Sequence, residues 1–301
     1  MFVTQKSINF VVTTSTHHKT KTNRQHMKKI LTTMLITLLA MTSIHARQQG
    51  DTITVASEYI NPAMKVVVVK PAGYDDPASK DLRYPVVYLL HGYGDDYRCW
   101  PTRTQPAIDS LATRWNMIFV CPDGRNSWYF DSSTNPAMQM ESFITKTLVP
   151  HIDANYRTRP EASQRAITGL SMGGHGALWL AMRHSDIWGN AGATSGGVDF
   201  TPWPDNWNIS QALGQYKDNK QRWHNSTVIS LVPTLKPGQL NIIFDCGVDD
   251  FFFKVNNNLH DALLQAKIPH DYITRPGGHT HQYWRNAILY QLQFFNDRFS
   301  K

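Results

Sequence analysis

The sequence has few cysteines and no metal-binding cysteine pattern. Its 301 residues contain only three cysteines, Cys99, Cys121 and Cys246, and no C-x-x-C pair. Three scattered thiols exclude a disulfide framework and give no support to a structural zinc site. One pair could bridge in an oxidising compartment, but the sequence does not choose between the pairs.

Positive charge is scarce outside the N-terminus, although the formal net charge is +7. Residues 1–46 hold six basic residues and no Asp or Glu, which leaves 24 basic against 23 acidic residues over 47–301. A nucleic-acid-binding surface needs a clustered excess of Lys and Arg, so we expect no nucleic-acid partner. An apolar content of 41% with 18% charged residues also excludes the disordered and fibrous classes.

The apolar run near the N-terminus is too short and too polar to be a confident membrane span. It covers residues 30–41, contains three threonines and follows two lysines. A positive start, a short apolar core and a small residue at Ala46 are typical of a secretory signal. We therefore expect residues 1–46 to comprise an extension and a signal peptide, with translation starting at Met27. The protein is then exported to the periplasm or the medium, without a membrane anchor after cleavage.

Strand-like segments alternate with helix-like segments from residue 47 onwards. The strand candidates are 52–59, 65–69, 86–90, 117–121, 165–168, 188–194 and 240–245. The helical candidates are 107–115, 142–156 (with Pro150 as a point where it can kink), 174–184, 256–265 and 282–298. This alternation predicts one α/β domain over 47–301, with a mostly parallel sheet flanked by helices. Residues 199–230 are rich in Trp and lack a clear period, so we expect an insertion above the carboxyl edge of the sheet, where α/β proteins bind ligands.

Residues 169–174, G-L-S-M-G-G, contain the pattern G-x-S-x-G around Ser171. The pattern is weak alone, but here it lies between a predicted strand and a predicted helix. Such a turn is so sharp that side chains beside the serine would collide, which accounts for the flanking glycines. The turn exposes the serine hydroxyl and leaves the N–H of Met172 at a helix N-terminus, where it can stabilise an oxyanion. We therefore predict that Ser171 is a nucleophile.

A serine nucleophile needs a histidine base and an orienting carboxylate, which follow it along the chain in this type of fold. His279, which follows a pair of glycines, is the predicted base, and His281 is its rival. The carboxylate is expected after the strand at 240–245, where Asp249 and Asp250 both follow a glycine turn. The local pattern does not decide between these two aspartates.

A second oxyanion donor is expected from the loop after the early central strand. Residues 91–94, H-G-Y-G, form this loop, and its glycines let backbone N–H groups turn inward. The N–H of Tyr93 is the candidate. His91 is interpreted as structural, because a base at this position would break the chain order.

Four segments together resemble a known family. VVYLLHGYG at 86–94, GLSMGG at 169–174, DCGVDD at 245–250 and PGGH at 276–279 are similar to segments of the esterase D-type α/β-hydrolases. That family includes S-formylglutathione hydrolases, mycolyltransferases, and the feruloyl and acetylxylan esterases of carbohydrate esterase family 1. The resemblance extends over roughly residues 55–298. It implies the α/β-hydrolase fold and a reaction that needs neither a cofactor nor a metal.

The resemblance also implies roles for individual residues. The implied triad and oxyanion hole are Ser171, Asp250 and His279, with the N–H groups of Tyr93 and Met172. The resemblance thereby favours Asp250 over Asp249, a choice that the local pattern leaves open. Residues 126–129, which include Trp128, and Trp284 are similar to segments near the acyl pocket of the family. This chain departs from the family in the Trp-rich stretch 199–230 and in His281.

The predicted function is an exported serine esterase that cleaves carboxylic esters through an acyl-enzyme. Export favours an extracellular polymer over a cytoplasmic glutathione thioester as the substrate. Five tryptophans are candidates for stacking on a sugar or hydroxycinnamoyl ring or for lining the acyl pocket: Trp128, Trp203, Trp207, Trp223 and Trp284. We therefore expect a carbohydrate-linked substrate, namely feruloyl or acetyl esters of plant polysaccharides such as xylan.

The sequence is also compatible with four alternative functions. The nearest are an S-formylglutathione hydrolase or general short-chain carboxylesterase, and an acyltransferase with the same triad. A different class is a non-catalytic carbohydrate-binding protein on the same fold. The last is a metal-dependent hydrolase that uses His279, His281 and Asp249 or Asp250, although no H-E-x-x-H spacing supports it.

Overall fold

An eight-stranded sheet organises residues 50–300, the part of the chain that the computed structural model describes. The strands are β1 (Asp51–Ser57), β2 (Ile60–Val69), β3 (Val86–Leu90), β4 (Ile118–Pro122), β5 (Arg165–Gly169), β6 (Asn190–Thr194), β7 (Asn241–Gly247) and β8 (His270–Arg275). Their order across the sheet is β1-β2-β4-β3-β5-β6-β7-β8. β2 is antiparallel to both β1 and β4, and every pair from β4 to β8 is parallel. The predicted, mostly parallel sheet is confirmed, whereas the predicted signal segment 1–46 lies outside the described residues.

The central strands are short and are covered on both faces. Every residue of β3, β4, β5 and β6 is buried, which explains why these strands consist mainly of apolar and small residues and do not alternate with polar ones. β8 is different, since it lies at the edge of the sheet and every residue of it is at least partly exposed. The segment H-D-Y-I-T-R is therefore polar enough to be missed as a bounded strand.

Helices occupy most of the connections between the strands. They are α1 (Ile108–Trp115), α2 (Met140–Phe143), α3 (Val149–Asn155), α4 (Met172–Arg183), α5 (Ser210–Leu213), α6 (Tyr216–Asn225), α7 (Phe253–Gln265) and α8 (His281–Phe299). A π-helical turn, Ile144–Leu148, joins α2 to α3, so the helix predicted over 142–156 begins earlier and widens just before Pro150. Among residues 50–300, none of the helices has the length and apolar character needed to cross a membrane.

Two apolar layers pack on opposite faces of the sheet. Because successive side chains of a strand point to opposite faces, Val66 and Val68 of β2 belong to one layer, while Val67 and Val69 belong to the other. Helix α4 packs in the first layer, and α1 and α8 pack in the second. The loops that leave the carboxyl ends of the parallel strands therefore meet at one edge of the sheet.

The Trp-rich insertion is more ordered than its sequence predicts. Residues 199–230, which the sequence predicts as an insertion without a clear period, contain α5 and α6 and lead into a 3₁₀ segment, Ile229–Thr234. The period is missing because α6 buries only one residue, Trp223, and has a non-helical residue at Asn219. A short helix with a single buried side chain leaves no apolar stripe to recognise.

Candidate active site

Ser171 lies on a tight turn between β5 and α4. Its backbone has φ 55° and ψ −117°, a left-handed conformation that costs a residue with a side chain about 1–3 kcal/mol. A Cβ atom on Gly169 would stand 2.4 Å from the carbonyl oxygen of Gly173, and a Cβ on Gly173 would stand 2.3 Å from that of Leu90. Only glycine fits at both positions, so the G-x-S-x-G pattern has its steric cause in this turn.

His279 connects Ser171 to a buried carboxylate. Its Nε2 atom lies 2.9 Å from the Oγ of Ser171, and its Nδ1 atom lies 2.9 Å from the Oδ2 of Asp250. Asp250 also accepts a hydrogen bond of 2.8 Å from the backbone N–H of Phe252. The structure therefore brings together the three residues that the sequence selects, in an arrangement that can move a proton from the hydroxyl to the imidazole.

The two neighbouring aspartates occupy different environments. Asp250 is only 5% exposed and points at the imidazole, whereas Asp249 is exposed and its carboxylate accepts a 3.3 Å hydrogen bond from the N–H of Gly277. Asp249 thus braces the loop that precedes His279 and does not contact its ring through any hydrogen bond in residues 50–300.

The rival histidines have other partners. His281 is the first residue of α8, and its Nδ1 atom lies 2.9 Å from the Oγ1 of Thr104. Partial burial, together with the nearby charges of Arg103 and Arg285, lowers the pKa of His281. His91 is buried between two backbone groups, with Nδ1 2.8 Å from the carbonyl of Gly92 and Nε2 accepting from the N–H of Gly124.

Two backbone N–H groups near Ser171 are free to bind an oxyanion. The loop after β3 passes close to the nucleophile, since a Cβ atom on Gly92 would stand 3.5 Å from the Cβ of Ser171. Within residues 50–300, the N–H groups of Tyr93 and Met172 donate to no protein acceptor. Met172 is also the first residue of α4, where the helix dipole favours negative charge.

Three of the five tryptophans selected from the sequence are buried, so their rings offer no exposed surface for stacking on a substrate in this structure. The indole N–H of Trp128 points to the carbonyl of Trp207, and that of Trp223 to the carbonyl of Gly214. Trp284 is buried too, with its ring edge-on to His279 at 4.9 Å between centroids and its N–H 3.0 Å from the Oγ of Ser195. In this structure Trp128 and Trp223 are core residues, and Trp284 supports the imidazole.

The remaining two tryptophans form a partly exposed aromatic face with Phe251. The ring of Trp207 is stacked on that of Phe251 at 5.9 Å, and Trp203 lies 6.0 Å from Trp207. Phe251 is 48% exposed and its centroid is 4.3 Å from that of His279. Phe251 was missed in the sequence, although its place directly after Asp250 in D-D-F-F-F is a signal that could have identified it.

The insertion is also tied to the loop that follows β3. The side-chain amide of Asn208 donates a 2.7 Å hydrogen bond to the hydroxyl of Tyr93. The next residue of that loop, Gly94, donates its N–H to the Oδ1 of Asn126 at 2.8 Å. Residues 203–208 therefore extend from the aromatic face at His279 to the loop that carries the N–H of Tyr93.

The described residues contain neither a candidate metal site nor a disulfide. Within 50–300, no group of three or more His, Cys, Asp or Glu side chains is arranged to hold a metal ion. The three cysteines are free and buried, so no pair of them is bridged in this structure.

The chain is similar in sequence and fold to known esterases. Residues 57–295 match the profile of the protein family described as Esterase. Esterase Rv1288 of Mycobacterium tuberculosis is 29% identical over 248 residues, which cover 73% of this chain and 52% of that protein. The chain thus spans about half the length of this curated relative.

Two further similar proteins are feruloyl or ferulic acid esterases. An endo-1,4-beta-xylanase/feruloyl esterase of Xylanibacter ruminicola is 32% identical over 154 residues, which cover 48% of this chain and 21% of that protein. A solved ferulic acid esterase superposes with a TM-score of 0.72 at 27% identity, covering 83% of this chain and 97% of its own. The order of strands and helices in residues 50–300 is accordingly that of the α/β-hydrolase fold.

Proposed function

The chain belongs to the esterase D family of α/β-hydrolases, and we propose that it hydrolyses carboxylic esters through an acyl-enzyme formed on Ser171. The observation that carries this proposal is the pair of 2.9 Å contacts that join the Ser171 hydroxyl, the His279 imidazole and the Asp250 carboxylate. A serine hydroxyl is a weak nucleophile at neutral pH, and this arrangement supplies both the base and the group that orients it.

In the acylation step, the Ser171 oxygen attacks the ester carbonyl while Nε2 of His279 takes the hydroxyl proton. Asp250 accepts a hydrogen bond from Nδ1–H, which keeps Nε2 free as the base and stabilises the imidazolium. The carbonyl oxygen becomes an anion that the N–H groups of Tyr93 and Met172 bind. The tetrahedral intermediate then expels the alcohol, which receives the proton from Nε2.

Water completes the reaction in the deacylation step. His279 takes a proton from the water, whose oxygen attacks the acyl carbon, and the same two N–H groups bind the second oxyanion. Collapse of that intermediate releases the carboxylic acid, and the proton returns to Ser171. An alcohol in place of water would give acyl transfer through the same intermediate.

The proposed substrates are feruloyl or acetyl esters of plant polysaccharides. The partly exposed rings of Trp203, Trp207 and Phe251 support an aromatic acyl group, because they offer apolar stacking surface beside His279. The similarity to proteins named feruloyl and ferulic acid esterases points the same way. Export, which the sequence of residues 28–46 favours, would bring the enzyme to such polymers.

One substrate panel with one variant tests the proposal. The panel consists of short p-nitrophenyl esters, methyl ferulate, acetylated xylan and S-formylglutathione. We expect Ser171→Ala to lower kcat by at least about 10⁴-fold on every accepted ester while leaving the circular dichroism spectrum unchanged. A fluorophosphonate should label Ser171 in the wild type and nothing in the variant. Near-full activity of Ser171→Ala would overturn the proposal.

A further inference from the structure

A groove of about 430 Å³ lies beside the loop that carries His279. Residues 275–277 and 280 of that loop form one wall, and the first part of α8, from Gln282 to Tyr290, forms the other. The volume is within the range of about 300–1,000 Å³ that small-ligand sites occupy. None of the roles derived for the triad, the oxyanion donors or the aromatic face uses this groove.

An aromatic ring is held at the surface of the groove. Tyr290 is 53% exposed, and the guanidinium of Arg275 lies 4.6 Å from the centroid of its ring. The same guanidinium lies 5.3 Å from the ring of Tyr283, so it is flanked by two tyrosines. A cation–π contact of this kind contributes about 0.5–1 kcal/mol at an exposed site and restrains the ring. Tyr290 therefore presents a pre-positioned apolar surface of the kind on which the C–H face of a sugar packs.

The side chains that line the groove are uncharged, with the exception of Arg275. Gln282 and Asn286 are exposed, and within the described residues their side chains make no hydrogen bond to the protein. A side-chain amide offers both a donor and an acceptor, which matches adjacent hydroxyl groups. The charge of Arg275 is opposed by the buried carboxylate of Asp245 at 3.3 Å. The groove thus suits a neutral ligand rich in hydroxyl groups.

The position of the groove favours the alcohol part of an ester substrate as its ligand. Gly277 and Thr280 are both groove residues, and they are separated from His279 by at most two positions, a chain distance of about 7 Å. In the proposed mechanism His279 returns its proton to the leaving alcohol, so the alcohol part of the substrate is bound within reach of the His279 imidazole. The groove begins within two residues of His279.

We propose that this groove binds a sugar unit of the alcohol moiety, a neutral pentose or hexose of the esterified polysaccharide. The inference rests on the proposed function, since it assigns the polysaccharide part of the substrate to α8. Tyr290 provides the stacking surface, and Gln282 and Asn286 bind hydroxyl groups. The aromatic face formed by Trp203, Trp207 and Phe251 is then left for the acyl group.

Calorimetric titration with an ester-free arabinoxylo-oligosaccharide tests the groove without catalysis. In the inactive Ser171→Ala background we expect saturable binding, and we expect Tyr290→Ala to raise Kd about threefold to tenfold through the loss of one stacking contact. The matched control is Gln293→Ala, an exposed residue of the same helix whose amide bonds Asp297 outside the groove. Absence of saturable binding, or a Kd unchanged by both Tyr290→Ala and the Gln282→Ala/Asn286→Ala double variant, would overturn the inference.

Kinetics on two feruloyl esters then separate the groove from the acyl site. With active enzyme, Tyr290→Ala should raise KM for a feruloylated arabinoxylo-trisaccharide about threefold to tenfold and leave kcat/KM for methyl ferulate unchanged. Equal losses on both esters would contradict the inference and indicate a structural role for Tyr290. A wild type that hydrolyses none of the panel esters would defeat the proposed function instead, and the titration would still decide the groove.

Discussion

Asp250 and Asp249 are neighbours in the chain, but Asp250 is the one that contacts the imidazole of His279. We expect Asp250→Asn to lower kcat by about 10⁴-fold, because an amide would favour the wrong tautomer of the base. Asp249→Asn should have an effect below about threefold, and it serves as the matched control.

The two histidines give a parallel prediction. His279→Ala should abolish activity, whereas His281→Ala should lower it only slightly, because the ring of His281 contacts Thr104. Steady-state kinetics on p-nitrophenyl acetate measure all four variants, and equal losses at the two aspartates would contradict the assignment.

The residues that sequence patterns identify best are those under a steric or chain-order constraint. Ser171 was predictable because Gly169 and Gly173 have no room for a Cβ, so the pattern is written into the chain. The local pattern did not decide between Asp249 and Asp250, because both follow the same turn, and only the family resemblance favoured Asp250, the one that the folded loop buries. Phe251 was missed because its contact with His279 joins two loops that are distant in sequence.

At the scale of single elements, helix α4 carries a histidine that is buried without a hydrogen-bond partner of normal geometry in residues 50–300. His175 is fully buried among Trp128, Phe130, Trp179 and Phe200, and neither ring nitrogen has a hydrogen-bond partner of normal geometry in the described residues. Burial lowers its pKa from 6.5 to about 3, and the backbone of Gly197 acts in the opposite direction. The native state therefore requires the neutral ring.

This histidine should make the protein sensitive to acid. Its native pKa is depressed, so its contribution to stability is present above pH 6.5 and is lost as pH falls from 6.5 towards 3. At pH 5 the loss relative to pH 7 is about 2 kcal/mol. We expect urea unfolding of His175→Leu to show a shallower decline between pH 7 and pH 5 than the wild type, and the exposed His224→Gln to behave like the wild type. Parallel declines for wild type and His175→Leu would rule out this source of acid sensitivity.

Two segments, residues 203–208 and the turn after β7, together form the aromatic face. Trp207→Ala or Phe251→Ala should lower kcat/KM for methyl ferulate about threefold to tenfold, because each removes one stacking partner of the acyl ring. The same variants should leave p-nitrophenyl acetate nearly unchanged, since a two-carbon acyl group has no ring to stack on the face. Leu264→Ala, an exposed apolar position on α7, is the control. Equal losses on both esters would assign these rings to support of His279 and not to substrate selection.

At the scale of the fold in residues 50–300, the sequence predicts the strands that are buried on both faces and misses the exposed edge strand β8. The central strands β3 to β6 were identifiable because burial on both faces favours mainly apolar and small residues that do not alternate with polar ones. The edge strand β8 and the polar helix α6 were not, because each is exposed along much of its length and buries too little to leave a periodic signal. The same cause explains the tryptophans: a residue type indicates burial or stacking, and only packing distinguishes Trp223 in the core from Trp207 at the surface.

The three free cysteines can report how often the folded structure opens and exposes its interior. Burial raises the pKa of Cys99 to about 12 and raises those of Cys121 and Cys246 further above the ordinary range. Alkylating reagents consume the thiolate, so the folded molecule offers them almost none. A thiol becomes reactive only in a molecule that has exposed its interior, and each modification is then permanent. When reclosing is faster than alkylation, the extent of alkylation in a sample therefore measures how much time the population has spent with its interior exposed.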